Sequence, residues 1–526
     1  MILIKNVNLP LETDFSDIRK IVGNALKITK NEVLSARLYK KSVDARHKNN
    51  IVFCCSFTAA LKNEEKILKT HKNTEVFVKK EYKYKKCKTQ SRPVIAGFGP
   101  AGMFAALTLA RSGVKPIVIE RGSCVEKRTA DVEEFFKTGK LNTESNIQFG
   151  EGGAGTFSDG KLNSGIHDER CFNVLETFCE FGAPDNIMYS AKPHIGTDIL
   201  RNVVKNIREE IIKLGGEIYF DTKLDGVIIK NGKLCGIKIV GNKSGTLECG
   251  ELILAIGHSA RDTFKMLYKS GVYMSAKPFS VGVRIEHRQA DINRSLYGKF
   301  ADSKYLGAAD YKAAVHLENG RGVYTFCMCP GGVVVNASSE DGGIAVNGMS
   351  YSARDGKNAN SALLVEVKPE DLNGDGIFAG IDFQQSIEQK AYNAGMGDVP
   401  FCYVGDLYGD FEPDLSVTPT VMPKARRTDI NSVMPQFAVQ SIKSALPLFS
   451  KKIENFNNKN AVLTFPETRS TSPIRINRDD DCNSVNVSGI YPSGEGAGYA
   501  GGIMSAAVDG MRIAQAVINK YISEEK

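Results

Sequence analysis

The segment that most restricts the fold of this chain is a short apolar run followed by spaced glycines, in residues 92–102. Residues 94–96 (Val-Ile-Ala) carry no charge, which is typical of a strand buried on both faces of a parallel sheet. Gly97, Gly99 and Gly102 follow at the G-x-G-x-x-G spacing. In that pattern the first glycine permits a tight turn, the second the close approach of a pyrophosphate, and the third close packing of the next helix.

The residues that follow complete a βαβ unit. Residues 103–112 are rich in Ala and Leu and predict a helix, and Gly113 stands where a left-handed cap is expected. Residues 116–119 predict a second buried strand, which ends in Glu120. A carboxylate at the tip of that strand lies beside the ribose in the AMP half of a bound dinucleotide. The sequence therefore predicts dinucleotide binding, and the alternative is a glycine turn in an α/β unit without a ligand.

Length and composition exclude several classes of protein. The 526 residues suffice for about two to four domains with a large buried core. No apolar run reaches the roughly 18 residues of a membrane span, and the first residues lack the layout of a signal peptide. Twelve cysteines are scattered without the paired spacing of a zinc site, which predicts reduced thiols and no metal centre. We therefore expect a cytoplasmic protein without a membrane partner.

The basic charge is confined to the first part of the chain. Residues 1–92 contain 21 Lys and Arg against 9 Asp and Glu, whereas residues 93–526 contain 47 against 51. Residues 1–80 have the strand and helix pattern βαββαβ, which predicts a small α+β domain of the ferredoxin-like type. Residues 79–88 contain six lysines. They predict a solvated linker or, alternatively, a surface for an acidic protein or another polyanion. RNA is not favoured because no aromatic-glycine RNA-binding signature accompanies the lysines.

Two further glycine-rich segments predict ligand contacts. Residues 148–161 form the first, and its aromatic and apolar members (Phe149, Phe157 and neighbouring Leu162) argue against a disordered loop. Residues 494–502 form the second, a strand-to-helix turn that contains an acidic residue and aims helix amides at an anion or a carbonyl. Between them the pattern changes at about residue 277 to strands and irregular segments, which predicts an inserted domain.

Together these motifs resemble the FAD proteins of the glutathione-reductase superfamily. Within that superfamily the chain is similar to a bacterial family of uncharacterised FAD-dependent dehydrogenases. The resemblance covers residues 92–526. It rests on 97–102 with Glu120-Arg121, 150–162, 255–257, 327–332, 347–350, 467–469 and 494–503.

The resemblance implies an α/β fold with a Rossmann-type FAD-binding domain, an inserted β-rich substrate domain and the small ferredoxin-like domain. The expected boundaries are residues 1–80 for the basic domain, 81–91 for the linker, 92–276 and 446–526 for the two parts of the FAD-binding domain, and 277–445 for the inserted domain.

The resemblance also implies a set of cofactor-binding residues. Those expected at the pyrophosphate are Gly97, Gly99, Pro100, Ala101 and Gly102. Those expected at the AMP half are Glu120 on the ribose, Arg121 and Arg128 nearby, and Leu224 at the adenine. Those expected along the ribityl chain and the flavin are Gly152, Gly153, Ala154, Gly155, Thr156, Gly257, Gly494, Glu495, Gly502 and Ile503.

One departure from the superfamily limits the choice of electron donor. Residues 216–276, where the two-dinucleotide reductases carry a second G-x-G-x-x-G, contain none, and the C-x-x-x-x-C pair of the disulfide reductases is missing. If NAD(P)H reduces the flavin, we expect it to bind transiently.

The expected chemistry centres on two cysteines and two cations. Cys327 and Cys329 share one face of a regular strand, so both thiols could point at a substrate; the alternative is two small buried hydrophobic residues. Lys161 and Arg354 are candidate holders of an anionic group, and the alternative for Lys161 is a solvated lysine. His258 and His287 are expected to be structural.

Two functions remain open at this point. The first is a FAD-dependent oxidoreductase that transfers a hydride between FAD and a small organic substrate held under the inserted domain. The second is a flavoprotein that acts on or with a macromolecule, RNA or protein, recruited by the basic residues before position 90.

Overall fold

The structure is a computed structural model that describes residues 1–79, 81–163 and 165–524. The apolar residues at the start of the chain recur at strand and helix spacing, and this part of the chain forms the predicted βαββαβ pattern. Its elements are β1 (Ile2–Leu9), α1 (Ile18–Leu26), β2 (Val33–Asp44), β3 (Val52–Leu61), α2 (Glu64–Thr70) and β4 (Thr74–Val76). The strands pair antiparallel in the order β2-β3-β1-β4. Helix α1 begins at Ile18. Its cap is Asp17, which accepts from the Lys20 amide at 3.1 Å, because Asp14 accepts from Ser16 instead.

The segment 81–91 lies against the protein rather than extending into solvent as a free tether. Lys85 Nζ donates to Asn519 Oδ1 and Lys86 Nζ to the Arg111 carbonyl, both at 2.8 Å. The buried Cys87 donates its amide to the Ser112 carbonyl at 2.9 Å. These contacts hold the segment along the next domain.

The second part of the chain contains the predicted βαβ unit. Its elements are β5 (Val94–Ala96), α3 (Pro100–Arg111), β6 (Ile117–Ile119), α4 (Val125–Thr138), α5 (Arg170–Glu180), α6 (Thr197–Lys213), β7 (Glu217–Tyr219), β8 (Thr222–Lys230), β9 (Lys233–Gly241), β10 (Gly245–Glu248), β11 (Leu252–Leu254), α7 (Arg261–Lys269) and β12 (Met274–Ala276).

The third part contains long strands and three helices in the described residues: β13 (Phe279–Arg288), α8 (Gln289–Tyr297), β14 (Ala314–His316), β15 (Gly322–Cys329), β16 (Val333–Asn336), β17 (Val346–Met349), β18 (Asn358–Val367), α9 (Ala379–Gly395), β19 (Val399–Tyr403), β20 (Ala425–Arg427), α10 (Gln436–Ser450), β21 (Val462–Glu467) and β22 (Ile474–Ile476). The chain then returns through β23 (Ile490–Pro492) to α11 (Ile503–Glu524).

A parallel sheet runs in the order β7-β6-β5-β11-β23. Numbered along the chain, this is the order 3-2-1-4-5 of a doubly wound nucleotide-binding sheet. Its central strands are short and wholly apolar because helices such as α3 and α11 cover one face and strands β8 and β9 with α7 cover the other. Helix α3 is buried from Ala101 to Ala110, and α11 crosses it where a Cβ at Gly510 would collide with the Ala101 carbonyl oxygen.

The inserted domain is larger than the sequence predicts. Its main sheet has the order β14-β15-β18-β13-β21-β19-β20, and β12 and β22 pair antiparallel where the insertion leaves and rejoins the parallel-sheet domain. Strand β21 pairs with β13, so the boundary predicted at 445 is wrong and the insertion continues to the end of β21. The N-terminal domain shares one continuous apolar core with this sheet. Among the described residues, no helix combines the length and the apolar character that a membrane crossing requires.

Candidate cofactor and substrate site

A cavity of about 450 Å³ lies between the parallel sheet and the insertion. Three segments of the parallel-sheet domain line it: the dinucleotide turn (residues 97–102), the glycine loop (residues 148–161) and the C-terminal glycine turn (residues 494–502). The insertion supplies the remaining wall. The cavity therefore lies at the carboxyl ends of the parallel strands, where open α/β sheets bind ligands.

The dinucleotide turn has the geometry that its spacing predicts. Gly97 has a φ of +99°, and a Cβ there would collide with the carbonyl oxygen of Ala255 on the neighbouring strand end. A Cβ at Gly102 would collide with the Gly97 carbonyl oxygen. These two glycines let the chain turn tightly from β5 into α3. Gly99 faces the glycine loop, where a Cβ at Gly153 would lie 2.9 Å from the Gly99 Cα.

Glu120 joins the dinucleotide turn to the glycine loop. Its carboxylate is buried and accepts backbone N–H groups from Phe98 at 2.7 Å and from Gly122 and Gly150 at 2.9 Å. Since a carboxylate has about four lone-pair sites, one acceptor position remains. Glu120 also lines the cavity. Its predicted bond to a ribose stays a prediction, to which the structure adds a second role in shaping the cavity wall.

The two arginines expected near the AMP half differ in position. Arg121 lines the cavity, lies 4.1 Å from the Phe149 ring centroid and pairs with Glu144 and Asp262, both at 2.9 Å. Arg128 does not line the cavity. It is fully buried behind the glycine loop, and burial lowers the pKa of its guanidinium to about 10.

Arg128 holds the glycine loop from behind. It donates to the carbonyls of Asn146 and Ile147 at 2.9 Å and of Glu151 at 2.6 Å. These loop carbonyls lie outside regular secondary structure and need donors when they are buried. Arg128 therefore supports the glycine loop, and its predicted place near the AMP half stays a prediction.

The remaining predicted cofactor residues fall into two groups. Gly102, Gly152 and Thr156 are packed beneath the wall, where a Cβ at Gly152 would collide with Thr156 Oγ1. The others line the cavity: Gly97, Gly99, Pro100, Ala101, Gly153, Ala154, Gly155, Leu224, Gly257, Gly494, Glu495, Gly502 and Ile503.

Two helix N-termini open into the same cavity. Helix α3 begins at Pro100 and α11 at Ile503, and both first turns, which lie in the described ranges, contain no acidic residue. Their partial positive charges favour an anionic ligand. His258 Nδ1 lies 3.2 Å from Glu495 Oε1, and among the described residues nothing hydrogen-bonds its buried Nε2. A cavity that receives two helix N-termini and contains an unpartnered polar atom fits FAD.

A β-bulge shapes the opposite wall of the cavity. The register between β15 and β18 shifts between Phe326 and Cys329, and Cys327 has a φ of +43°. A bulge interrupts the alternation of side chains along a strand. Cys327 accordingly lines the cavity, whereas Cys329 is fully buried with its Sγ 3.4 Å from Arg284 Nη2. In the structure only Cys327 lines the cavity, so the arrangement with both thiols at a substrate, which assumes a regular strand, is not seen.

A buried ion pair lies directly behind the two cysteines. Arg284 donates to both carboxylate oxygens of Glu467 at 3.0 and 2.9 Å and to the carbonyl of Cys327. Burial raises the pKa of Glu467 to about 7, although the Arg284 charge opposes the shift. A hydrogen bond with Cys329, and the nearby charges of Lys161 and Arg284, lower the pKa of the Cys327 thiol. The same hydrogen bond and burial raise the pKa of Cys329.

Lys161 and Arg354 meet at a buried carboxylate. Lys161 lines the cavity, donates to the Met328 carbonyl and lies 3.8 Å from Asp159 Oδ2. Arg354 pairs with Asp159, which also accepts from the Ser350 hydroxyl. Arg354 does not line the cavity and neutralises Asp159, and its predicted role as a holder of a ligand's anionic group stays a prediction.

His287 lies away from the cavity. It is buried, its Nε2 lies 2.8 Å from the Phe456 carbonyl oxygen, and burial lowers the pKa of its imidazole to about 4. His287 is therefore a neutral structural histidine.

Sequence reasoning assigned no role to several residues of the wall. Glu467, Arg469 and Asn347 line the cavity. All three belong to segments on which the family resemblance rests, 347–350 and 467–469. Membership in these segments is the sequence signal that could have identified them as site residues. Their roles depend on partners far along the chain. Arg469, for example, donates to Glu388 at 3.0 and 2.8 Å.

Comparisons with known proteins give two family matches and a relative. Residues 278–470 match the family described as "FAD-dependent protein, C-terminal domain-like", and residues 1–59 match a domain of unknown function. A protein of Clostridium beijerinckii, named only "Uncharacterized protein", is 46% identical over 530 residues, which cover 99% of each chain. The family match supports FAD as the cofactor.

Solved structures resemble the chain more distantly. A geranylgeranyl bacteriochlorophyll reductase-like protein from Thermoplasma acidophilum is 12% identical, with 83% of this chain and 79% of that chain covered and a TM-score of 0.36. The glycerol-3-phosphate dehydrogenase from Bacillus halodurans, in complex with FAD, is 9% identical, with 84% and 66% covered and a TM-score of 0.35. These scores carry no conclusion about this chain.

Proposed function

The chain belongs to the protein family of its Clostridium beijerinckii relative, and on that premise we propose that it is a FAD-dependent oxidoreductase for a small organic substrate. The observation that carries the proposal is the shared cavity. It is lined on one side by all three glycine-rich segments and on the other by Cys327, Asn347 and Glu467 of the insertion. A cofactor held by the first side faces a substrate held by the second.

The residues of the parallel-sheet domain would hold FAD by backbone groups and helix ends. Gly99 and the start of α3 would meet the pyrophosphate, and Glu120 would accept from the ribose with its remaining lone pair. Gly502 and Ile503 would meet the flavin, since the N-terminal end of a helix stabilises negative charge. Bound FAD would supply hydride chemistry, which no side chain of the chain can supply itself.

The insertion supplies groups that can bind a substrate and move a proton. Glu467 has a pKa near neutrality, so it can take up or release a proton at working pH. Arg284 is fixed behind it by Asn360 Oδ1 at 2.8 Å and keeps the carboxylate oriented. Lys161 provides a positive charge at the same wall. These residues suit a small polar substrate that exchanges a proton when it is oxidised or reduced.

The first experiment tests the cofactor. The purified protein should be yellow and should release FAD, identified by chromatography against FMN, when it is denatured. Release of FMN, or failure to take up FAD after reconstitution, would end the proposal.

The second experiment tests the reaction. Anaerobic mixing with NADH or NADPH should bleach the flavin absorbance if a nicotinamide cofactor is the donor, and a set of metabolites should then restore it. E467Q keeps the size of the side chain and removes its titration. It should therefore slow reoxidation by substrate while the FAD content stays unchanged. Equal reoxidation rates in E467Q and wild type would remove Glu467 from the mechanism.

A second function, action on a macromolecule, rests on where the basic domain lies. Lys41 of β2 donates its amide to the Tyr189 carbonyl at 2.6 Å and accepts from the Ala191 amide at 2.9 Å. The next residue, Lys192, lines the cavity. A partner bound by this domain would therefore lie beside the cavity mouth. The double variant R37E/K40E changes two exposed side chains of β2. It should leave turnover of a small substrate unchanged and should abolish turnover of a recruited acidic partner.

A further inference from the structure

We propose that Cys327 and Cys329 form a reversible dithiol–disulfide pair in the cavity wall, which exchanges with small disulfides. This exchange does not require the flavin, because both sulfurs and all the groups around them belong to the described chain. In the structure both cysteines are free. The proposal rests on the bulge, on the unequal burial of the two thiols, and on the charges that face them.

The bulge turns the side chain of Cys329 back toward residue 327. In a fully extended strand, residues two apart are separated by about 7 Å between Cα atoms, which is at the upper limit for a disulfide. The register shift of β15 and the positive φ of Cys327 depart from this extended geometry. Cys329 Sγ lies 3.4 Å from the Cys327 carbonyl oxygen, so its side chain turns back toward residue 327. A left-handed backbone at a non-glycine residue costs free energy and points to a function at that position.

The two thiols differ in access, as an exchanging pair requires. Cys327 is partly exposed and lines the cavity, so a small disulfide can reach it. Cys329 is fully buried and can be reached only through Cys327. Cys327 is therefore the attacking thiol, and Cys329 is the thiol that resolves the mixed disulfide.

The surrounding charges favour this order. Only the thiolate attacks a disulfide. Lys161 and Arg284 place positive charge beside Cys327, and the hydrogen bond with Cys329 also favours its ionised form. Glu467 lies at the same wall, and the Cys327 charge contributes to its raised pKa. Glu467 and Cys327 line the same cavity, and Arg284 contacts both Glu467 and Cys329, so we assign Glu467 the proton that a thiol releases.

The reaction balances without a further reagent. The Cys327 thiolate attacks one sulfur of a disulfide RSSR, forms a mixed disulfide and releases RS⁻. The Cys329 thiol loses its proton to Glu467 and attacks Cys327 Sγ. The Cys327–Cys329 bond then forms, and a second RS⁻ leaves. Two protein thiols are oxidised, one RSSR is reduced to two RSH, and both protons end on the released thiols.

The test uses the full-length protein with its flavin content measured beforehand. The protein is equilibrated in buffers of reduced and oxidised glutathione, blocked with N-ethylmaleimide in denaturant so that buried thiols also react, and digested with trypsin. Residues 322–354 form one tryptic peptide, which contains Cys327 and Cys329 and no other cysteine. In reducing buffer this peptide should carry two maleimide groups. In oxidising buffer it should carry none and should weigh two hydrogens less than the free dithiol.

Variants separate the two roles. C329S should accumulate one glutathione on Cys327, whereas C327S should leave Cys329 without glutathione because it is buried. C402S replaces another buried cysteine, in β19 of the same sheet, and should behave as wild type. A wild-type peptide that carries two maleimide groups at every glutathione ratio, or glutathione instead of an internal disulfide, would overturn the proposal. Loss of flavin without a change in these masses would count against the proposed function alone.

Discussion

Replacing Glu120 tests how the cavity is built. In the structure the Glu120 carboxylate accepts the backbone N–H groups of Phe98, Gly122 and Gly150 at 2.7 to 2.9 Å. The side chain is 5% exposed, so water cannot easily replace it. E120A removes the acceptor of all three groups. E120Q keeps one carbonyl oxygen and turns an amide group toward the remaining donors.

The expected magnitude follows from the number of donors left unpaired. A buried N–H without a partner costs about 1–3 kcal/mol. With three such groups and some relaxation, the free energy that keeps this region closed should fall by about 3 kcal/mol in E120A. Since every 1.4 kcal/mol is tenfold, hydrogen exchange at these amides should accelerate on the order of 100-fold. E120Q should lie between E120A and the wild type.

Hydrogen exchange followed by mass spectrometry measures this effect directly, with and without FAD. The matched control is E144A, which removes a neighbouring carboxylate that is 47% exposed and pairs with Arg121. A surface pair of this kind contributes about 0–1 kcal/mol, so exchange at Phe98, Gly122 and Gly150 should stay as in wild type. If E120A also leaves these amides protected, the hydrogen bonds described here do not hold the turn and the loop together. FAD affinity, measured in parallel, should fall in E120A by more than in E144A.

Two further predictions concern the protein outside this turn. Glu388 is buried and neutralises Arg261 and Arg469. The charges of these two arginines hold the pKa of Glu388 well below its ordinary value of 4.5. The ion pairs therefore stabilise the folded protein fully above pH 4.5, and this stabilisation is lost as the pH falls below that value. E388Q should lower the free energy of unfolding by about 3–5 kcal/mol at pH 7. It should also remove most of the dependence of that free energy on acid pH. Urea midpoints of E388Q that match those of wild type from pH 7 down to pH 4 would contradict this prediction. The basic domain should bind a polyanion such as heparin. The affinity of the full-length protein for heparin should fall steeply between 0.05 and about 0.2 M salt, because exposed charges are screened beyond about 10 Å. If R37E/K40E is retained on heparin as strongly as wild type, β2 is excluded as the binding surface.

The parts of the fold that the sequence predicts are those governed by local backbone rules. The dinucleotide turn is one, because the role of each glycine depends on atoms within a few residues or on the adjacent strand. The turn between β8 and β9 is another part of this kind. Asn231 and Gly232 have positive φ values of 50° and 70°, as a two-residue turn between β8 and β9 requires. The apolar strands of the parallel sheet are also readable, since strands buried on both faces need continuous apolar runs.

The parts that the sequence does not predict depend on partners far along the chain. Strand β21 joins the insertion because it pairs with β13, which precedes it by more than a hundred residues. No local pattern at the predicted boundary of 445 reports that pairing. The contacts of Arg128 and Arg354 are not predictable from the sequence for the same reason. An arginine is equally suited to a phosphate, a carboxylate or a set of carbonyls, and only the tertiary structure shows that Arg128 binds loop carbonyls and Arg354 binds Asp159.

The cysteine pair shows how one backbone irregularity changes the chemistry of a motif. In a regular strand Cys327 and Cys329 would point the same way and would have equal access to a substrate. The bulge turns Cys327 into the cavity and Cys329 against Arg284. Equal access suits two thiols that bind one ligand, whereas unequal access suits a thiol that attacks and a thiol that resolves. The positive φ of Cys327 therefore bears directly on the proposed exchange, because a regular strand would present neither the return of Cys329 toward residue 327 nor the difference in burial on which the exchange depends.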